Sequence, residues 1–356
     1  MKKQNASPHR ASIRGPVLAL VSALLFGAST PLAKGLLGGI HPLMLASILY
    51  LGSGLGLFIY SQFRRQATDV ALSAKDWLWF APAIVCGGIF GPVFLLLGLQ
   101  MTSASSASLL LVLEGVFSAL IAWIAFREHF HVRIGFGMLA ITIGAVVLAW
   151  QGEFTIDNAT GPLLIVLACL AWAADNNFTR KVALSDPVQI AMIKGLVAGS
   201  ANLILGFFMG VLSYDPLLIA AGGIIGFMSY GVGLVLFVLA LREVGSARTA
   251  AYYSVAPFIG ASIAVLLLGE PFTLQLALAA LLMGFGVWLH LTEHHEHDHD
   301  HALLEHTHPH VHDAHHQHQH GQGDPAGEPH LHAHTHRPLR HIHPHFPDPH
   351  HSHGHG

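Results

Sequence analysis

Glu114 follows Leu111-Val112-Leu113 in the middle of a long apolar run. An ionisable group there costs at least about 2.5 kcal/mol and normally faces a cavity or a partner. The chemistry open to it is proton exchange or contact with a cation; the alternative is permanent pairing with Lys34, Lys194 or a backbone group. A second polar group is Asp175-Asn176-Asn177, with Thr179 and Arg180 at helical spacing from Asp175 and Asn176. Carboxylate, amide and guanidinium side chains together recognise a zwitterion or hydrate a cation. Ser29-Thr30-Pro31, with Lys34 one turn on, is the matching polar stretch near the start of the chain. Pro31 removes a backbone donor and frees a carbonyl one turn earlier. Lys194 lies about two turns into its apolar run by the ~1.5 Å rise per residue. It either pairs with Asp175 or, the reading preferred here, snorkels to the headgroups. Tyr252, beside Tyr253, is a further candidate for lining a cavity. No nucleophile–base pair or phosphate loop accompanies these residues, so an enzyme is not expected.

The tail offers different chemistry. Residues 292–356 hold 24 of the 29 histidines, in runs such as His294-His295-Glu296-His297-Asp298-His299-Asp300-His301. Another run is His330-Leu331-His332-Ala333-His334-Thr335-His336. Neutral imidazole suits Zn, Ni, Co and Cu, and the interleaved carboxylates add oxygen ligands. No spacing resembles a rigid structural zinc site, so several labile, exchanging sites are expected rather than one. Apolar residues are few and prolines recur at 309, 325, 329, 338, 344, 347 and 349, which predicts a disordered segment in the absence of ligand. No resident cofactor is required; Zn, Ni or Co at the tail is the expected metal. His129 and His131 alternate in a short loop and are candidates for passing metal onward.

The elements that must position these groups span a membrane. The chain is 53% hydrophobic and only 10% charged, against about 25% charged for soluble domains. Ten apolar stretches approach the roughly 20 residues that cross a ~30 Å hydrocarbon core. They fall at Pro16–Leu37, Pro42–Phe63, Trp77–Leu99, Ala104–Phe126, Ile134–Trp150, Pro162–Phe178, Val188–Leu212, Leu217–Leu241, Thr249–Leu268 and Phe272–Leu291. The fifth and sixth are shortest and open to extension into their flanks. Fifteen of the seventeen Lys and Arg residues lie on one side of these spans, which predicts cytoplasmic termini in a bacterial-type inner membrane. The two exceptions are Lys34 and Lys194. Cys86 and Cys169 form no CxxC pair, and packing is their expected role.

The two halves repeat. At an offset of 142, Leu99 falls on Leu241, Ala119 on Ala261, Ala122 on Ala264, Glu128 on Glu270 and Phe130 on Phe272. At an offset of 146, Gly15-Pro16 falls on Gly161-Pro162, Phe26 on Trp172, Ser29 on Asp175 and Lys34 on Arg180. Five spans per half is an odd number, so the halves enter the membrane in opposite senses. Inverted repeats of this kind belong to alternating-access carriers, whose solute site lies near the midplane between the halves.

Two five-helix repeats with short loops and a Glu two residues before Phe after the fourth and ninth spans (Glu128, Glu270) resemble the EamA-type branch of the drug/metabolite transporter superfamily. The resemblance covers residues 16–291. It implies an all-α membrane fold, a central cavity between repeats, and export or import of small metabolites such as amino acids, nucleosides or nucleotide sugars. The domains expected are a cytoplasmic arm (1–15), the first repeat (16–150), the second repeat (151–291) and the His-rich tail (292–356). The expected function is secondary transport of a small solute, with proton coupling through Glu114. The alternatives are a Ni, Co or Zn transporter and a membrane-tethered metal buffer or sensor. Expected partners are the small-molecule or ion substrate, the lipid bilayer and a divalent transition metal at the tail; nucleic acid is not among them, and the plan admits a homodimer.

Overall fold

In hydrocarbon a chain segment must satisfy its own backbone N–H and C=O groups, so each apolar run forms a helix. The computed structural model describes residues 14–63, 72–126, 132–150, 156–182, 185–211 and 215–292, and in the tail 296–301, 304–310, 330–336 and 339–344. Helix α1 is Arg14–Leu36, α2 is Pro42–Phe63, and α3 is Trp77–Met101. Helix α4 comes in two pieces, Ala104–Leu110 and Leu113–Phe126. Helix α5 is Val132–Ala149, α6 Ile156–Thr179 and α7 Pro187–Phe208. Helix α8 runs from Pro216–Gly226 through Phe227–Val232 into Gly233–Tyr253, α9 is Ala256–Leu267 and α10 is Leu274–Leu291. Among the described residues nine helices are long and apolar enough to cross a membrane, and α9 is a shorter apolar tenth.

The caps are of the expected chemical types. Ser103 accepts from Ser106 N, Asp186 from Val188 N, Asp215 from Leu217 N and Thr273 from Leu276 N, each satisfying a free donor of its helix N-terminus. One boundary differs from expectation. A turn is predicted between Leu241 and Thr249, but helix continues from Gly233 to Tyr253 and the break comes at Ser254-Val255. Leu241, Arg242, Glu243, Ala247 and Arg248 are strong helix formers, which outweighs Gly245.

Packing obeys the repeat. Helix α2 lies against α7, α5 against α10 and α4 against α9, each pairing an element with its own counterpart. The contact of α3 with α6 is mirrored by that of α8 with α1, and α4 with α6 by α9 with α1. Local irregularities repeat as well. A π-helical segment, Ile84–Phe90, interrupts α3, and another, Phe227–Val232, interrupts α8. The helix breaks after Leu110 in α4 and after Tyr253 before α9 also correspond. Leu45, Leu49, Leu95, Leu96, Leu109 and Leu110 fill the centre, whereas Phe136, Ile143 and Val146 of α5 and Leu274, Leu281 and Phe285 of α10 face outward as lipid-contacting side chains do.

The described tail residues form two antiparallel pairs. Glu296–His301 pairs antiparallel with Leu339–Pro344, and Leu304–His310 with His330–His336. Histidine at every second position matches the period-two geometry of a strand. His294, His295, Glu128, His129 and His131 lie outside the described residues.

Candidate transport site

The interruption of α4 places Glu114. After Leu110 the backbone tightens, with Leu111 N bonding to both Ala107 O and Ser108 O, and helix resumes at Leu113. Glu114 therefore stands in the first turn of a new helical piece, where the helix dipole favours a carboxylate. Helix α6 passes alongside, and Asn176 Nδ2 donates to Glu114 Oε1 at 2.6 Å. Asn176 is exposed and Glu114 half-buried, so this pair is reachable from open space.

Asp175, one residue earlier, turns into the protein. Lys194 Nζ of α7 donates to both its oxygens, at 2.6 and 2.7 Å, and Thr179 Oγ1 donates at 2.8 Å. The Asp175 and Lys194 side chains are only 9% and 8% exposed. A buried pair keeps this geometry only if further hydrogen bonds support it, as Thr179 does. Room for the carboxylate comes from Gly87 in the π segment of α3, where an added Cβ would collide with the Asp175 side chain.

That π segment is held from outside. Pro92 brings no N–H to the helical ladder, so a carbonyl four or five residues back must find another donor. Both are taken: Gly87 O accepts from Tyr50 Oη (2.7 Å) and Trp172 Nε1 (2.9 Å), and Gly88 O from Asn202 Nδ2 (3.2 Å). Around this point aromatic rings converge. Phe26 meets Trp172, Tyr230 and Tyr253 with centroids 6.0, 5.9 and 5.7 Å away, and Tyr50 meets Tyr230 at 5.2 Å. Phe26 and Trp172 occupy corresponding positions in the two halves and touch, so the repeat axis passes close by.

Beside the rings, a cavity of about 10 Å³ is lined by Phe26, Gly27, Thr30, Ser108, Ala256 and Pro257, at the break before α9. Such a space holds about one water molecule, and Ser108 Oγ is buried there without a partner. This cavity is too small for a solute larger than water.

The side of the bundle where α1 ends, here the distal side, is closed by polar ties. Lys34 Nζ donates to Leu99 O (2.5 Å) and Thr102 O (3.0 Å), the free carbonyls at the end of α3. Glu270 accepts from Ala104 N (2.7 Å) and Ser105 N (2.8 Å), the free donors at the start of α4. Glu270 follows Gly269, whose φ of 69° turns the chain after α9 as glycine does without strain. Gln275 Nε2 donates to Val147 O at 2.6 Å at the end of α5.

Of the residues singled out in the sequence, Glu114 and Asn176 meet, as do Asp175 and Lys194. Lys194 is thus paired and buried, not snorkelling, because α7 faces the carboxylate at its level. Asn177 serves structure: its Nδ2 donates to Ala173 O (2.8 Å) and Ser118 O (3.3 Å). Ser29 is buried and donates to Phe26 O at 2.6 Å, and Thr30 lines the cavity. Lys34 departs from the centre, since it occupies the last turn of α1 and serves the distal turn. Arg180 begins the 3-10 turn Arg180–Val182 after α6, beside Lys181, whose Nζ lies 5.9 Å from the Trp79 ring centroid. Tyr253, next to Tyr252, sets its ring against Phe26 and Phe237. Sequence reasoning missed Tyr50, Trp172, Tyr230, Ser108 and Asn202 as site or support residues. The pairing of Phe26 with Trp172 across the repeat was the one available signal.

Known proteins share this plan. The pattern that defines the EamA-like transporter family matches residues 13–150 and again 159–292. An uncharacterized transporter of Methanothermobacter thermautotrophicus is 26% identical over 292 residues, covering 77% of this chain and 85% of the relative. The uncharacterized transporter YyaM of Bacillus subtilis is 23% identical over 210 residues, covering 56% and 68%. A solved crystal structure superposes with a TM-score of 0.59 at 18% identity, over 77% of this chain and 95% of the other, a likeness of fold. With one copy of the domain in each half, the chain belongs to the EamA-like transporter family.

Proposed function

We propose that the chain is a secondary carrier that moves a small solute by alternating access and couples it to protons through Glu114. The observation that carries this reading is the contrast between two neighbouring carboxylates. Asp175 is locked by Lys194 and Thr179, whereas Glu114 accepts from the neutral amide of Asn176 among the described residues and reaches open space. A carboxylate with a neutral partner in low dielectric is suited to take up and release a proton. The one-sided basic residues support cytoplasmic termini in a bacterial-type inner membrane, and a homodimer belongs to the same proposal.

For the tail we propose labile Zn, Ni or Co binding. Its support is composition together with register, which sets His306 opposite His334, His308 opposite His332 and His310 opposite His330. Among the described residues no group of three or more His, Cys, Asp or Glu stands ready to hold a metal, so nothing in the membrane core favours metal as cargo.

The test is uptake into proteoliposomes from a pooled, isotope-labelled metabolite extract, with pH gradients of either sign and a parallel radiometal arm. At least one solute should accumulate with the gradient in the natural protein, and Glu114→Gln should lose that dependence. Gradient-driven Ni, Co or Zn flux lost in Glu114→Gln would replace this reading with the metal carrier. No gradient-driven flux of any solute would overturn it.

A further inference from the structure

Strand register divides the tail into defined metal sites, given the reading of the tail as metal-binding. Glu296–His301 runs antiparallel to Leu339–Pro344, and Leu304–His310 to His330–His336. In five rungs a histidine stands directly opposite a histidine: His297–His343, His299–His341, His306–His334, His308–His332 and His310–His330. Among the described residues only the end rungs His301–Leu339 and Leu304–His336 set a histidine opposite another residue type. A one-residue slip would put His306 and His308 opposite Ala333 and Leu331 instead. The alternating patterns of the two strands are in phase.

The spacing of a rung suits one ion. Residues directly opposite in an antiparallel pair have Cβ atoms about 4.5–5.5 Å apart. Two nitrogens on one zinc ion, each at about 2.0–2.1 Å, stand no more than about 4 Å from each other. These spacings are close, so the two imidazoles of a rung can share an ion. The next rung on the same face lies about 6.8 Å along, two residues at about 3.4 Å each, and serves an ion of its own. Two ligands per rung agree with the lack, among the described residues, of any group of three or more. Water fills the remaining coordination positions, which keeps the ion exchangeable.

The same alternation separates the acids from the imidazoles. Glu296, Asp298 and Asp300 hold the alternate positions of their strand, on the face opposite to His297, His299 and His301, and Glu305 stands likewise to His306. Carboxylates interleaved in the sequence are therefore not interleaved on the histidine face. Imidazole suits Zn, Ni and Co, whereas Mg, Ca and Mn prefer carboxylate, carbonyl and water oxygens.

From this register we infer that the metal-binding unit of the tail is the cross-strand histidine pair, each rung taking one Zn, Ni or Co ion through two imidazoles. Register, not histidine content, sets the capacity, and metal and strand pairing stabilise each other.

The test counts nickel ions bound by the full chain in detergent, by equilibrium dialysis. His332→Ala with Ala333→His leaves the composition unchanged but breaks the His308 rung, and should lose about one ion per chain. Adding His308→Thr with Thr307→His sets the displaced histidines at positions 307 and 333, which are opposite each other, and should restore that ion. Asp298→Asn with Asp300→Asn should leave the count unchanged, and a large excess of manganese should displace no nickel. An unchanged count in the first variant, or no recovery in the second, would overturn the pairing and leave metal binding by the tail standing. Loss of nickel in the Asp298, Asp300 variant, or its displacement by manganese, would overturn the imidazole-only site. No more nickel on the full chain than on a chain ended at Leu291 would instead remove the tail reading on which the rungs rest.

Discussion

Two carboxylates whose partners lie on or beside α6, Glu114 bonded to Asn176 and Asp175 bonded to Lys194, carry different duties because those partners differ. Removing one member of a buried pair leaves an uncompensated charge and costs about 3–5 kcal/mol. Asp175→Asn and Lys194→Met should each lower the melting temperature in detergent sharply, and the double substitution should recover most of the loss. Glu114→Gln keeps a polar partner for Asn176 and should change stability by less than about 1 kcal/mol while removing coupling, so the two effects separate in one thermal assay. Gly87→Ala adds a single carbon yet strikes the Asp175 carboxylate, and should behave like Asp175→Asn. The presence of Glu114 and Asp175 at the centre was legible, since polar groups stand out in apolar runs. Their partners were not, because which face of α6 meets α4 or α7 depends on helix rotation, which neighbouring helices set.

At the scale of elements, the breaks and π segments recur in both halves, and polar ties near the distal turn link α1, α3, α4, α5 and the turn after α9 on that side. Hydrogen bonds to a charged group contribute about 1.5–3 kcal/mol each. Glu270→Ala, which strips two such bonds from the start of α4, should therefore speed labelling of a Thr102→Cys probe by an impermeant maleimide at least about tenfold. Lys34→Met should act in the same direction, and unchanged labelling in both would mean that the ties do not govern access. Sequence spacing placed the spans but not these irregularities. The π segment in α3 follows from Pro92 lacking an N–H, which is readable only once Tyr50, Trp172 and Asn202 are known to supply donors. The break before α9 replaced the expected turn near Gly245 because helix-forming residues continue through that stretch.

For the whole molecule, the inverted repeat was legible from residue correspondences alone, and the packing of α2 on α7, α4 on α9 and α5 on α10 follows from it. The tail stands apart from this symmetry. A chain ended at Leu291 should transport with unchanged kinetics while losing the Ni affinity of the full chain, measured by calorimetry; loss of both would tie the tail to the transport cycle. The central claim is that the two halves exchange openness under control of Glu114. Its most direct measurement is pulsed electron–electron distance between spin labels at Gly38 and Leu268 on the distal side, and at Phe63 and Leu291 on the other, in nanodiscs at acidic and alkaline pH. The account predicts that one distance widens as the other narrows with pH, and that Glu114→Gln holds both at a single value. Distances that ignore pH, or that shift alike in Glu114→Gln, would contradict it.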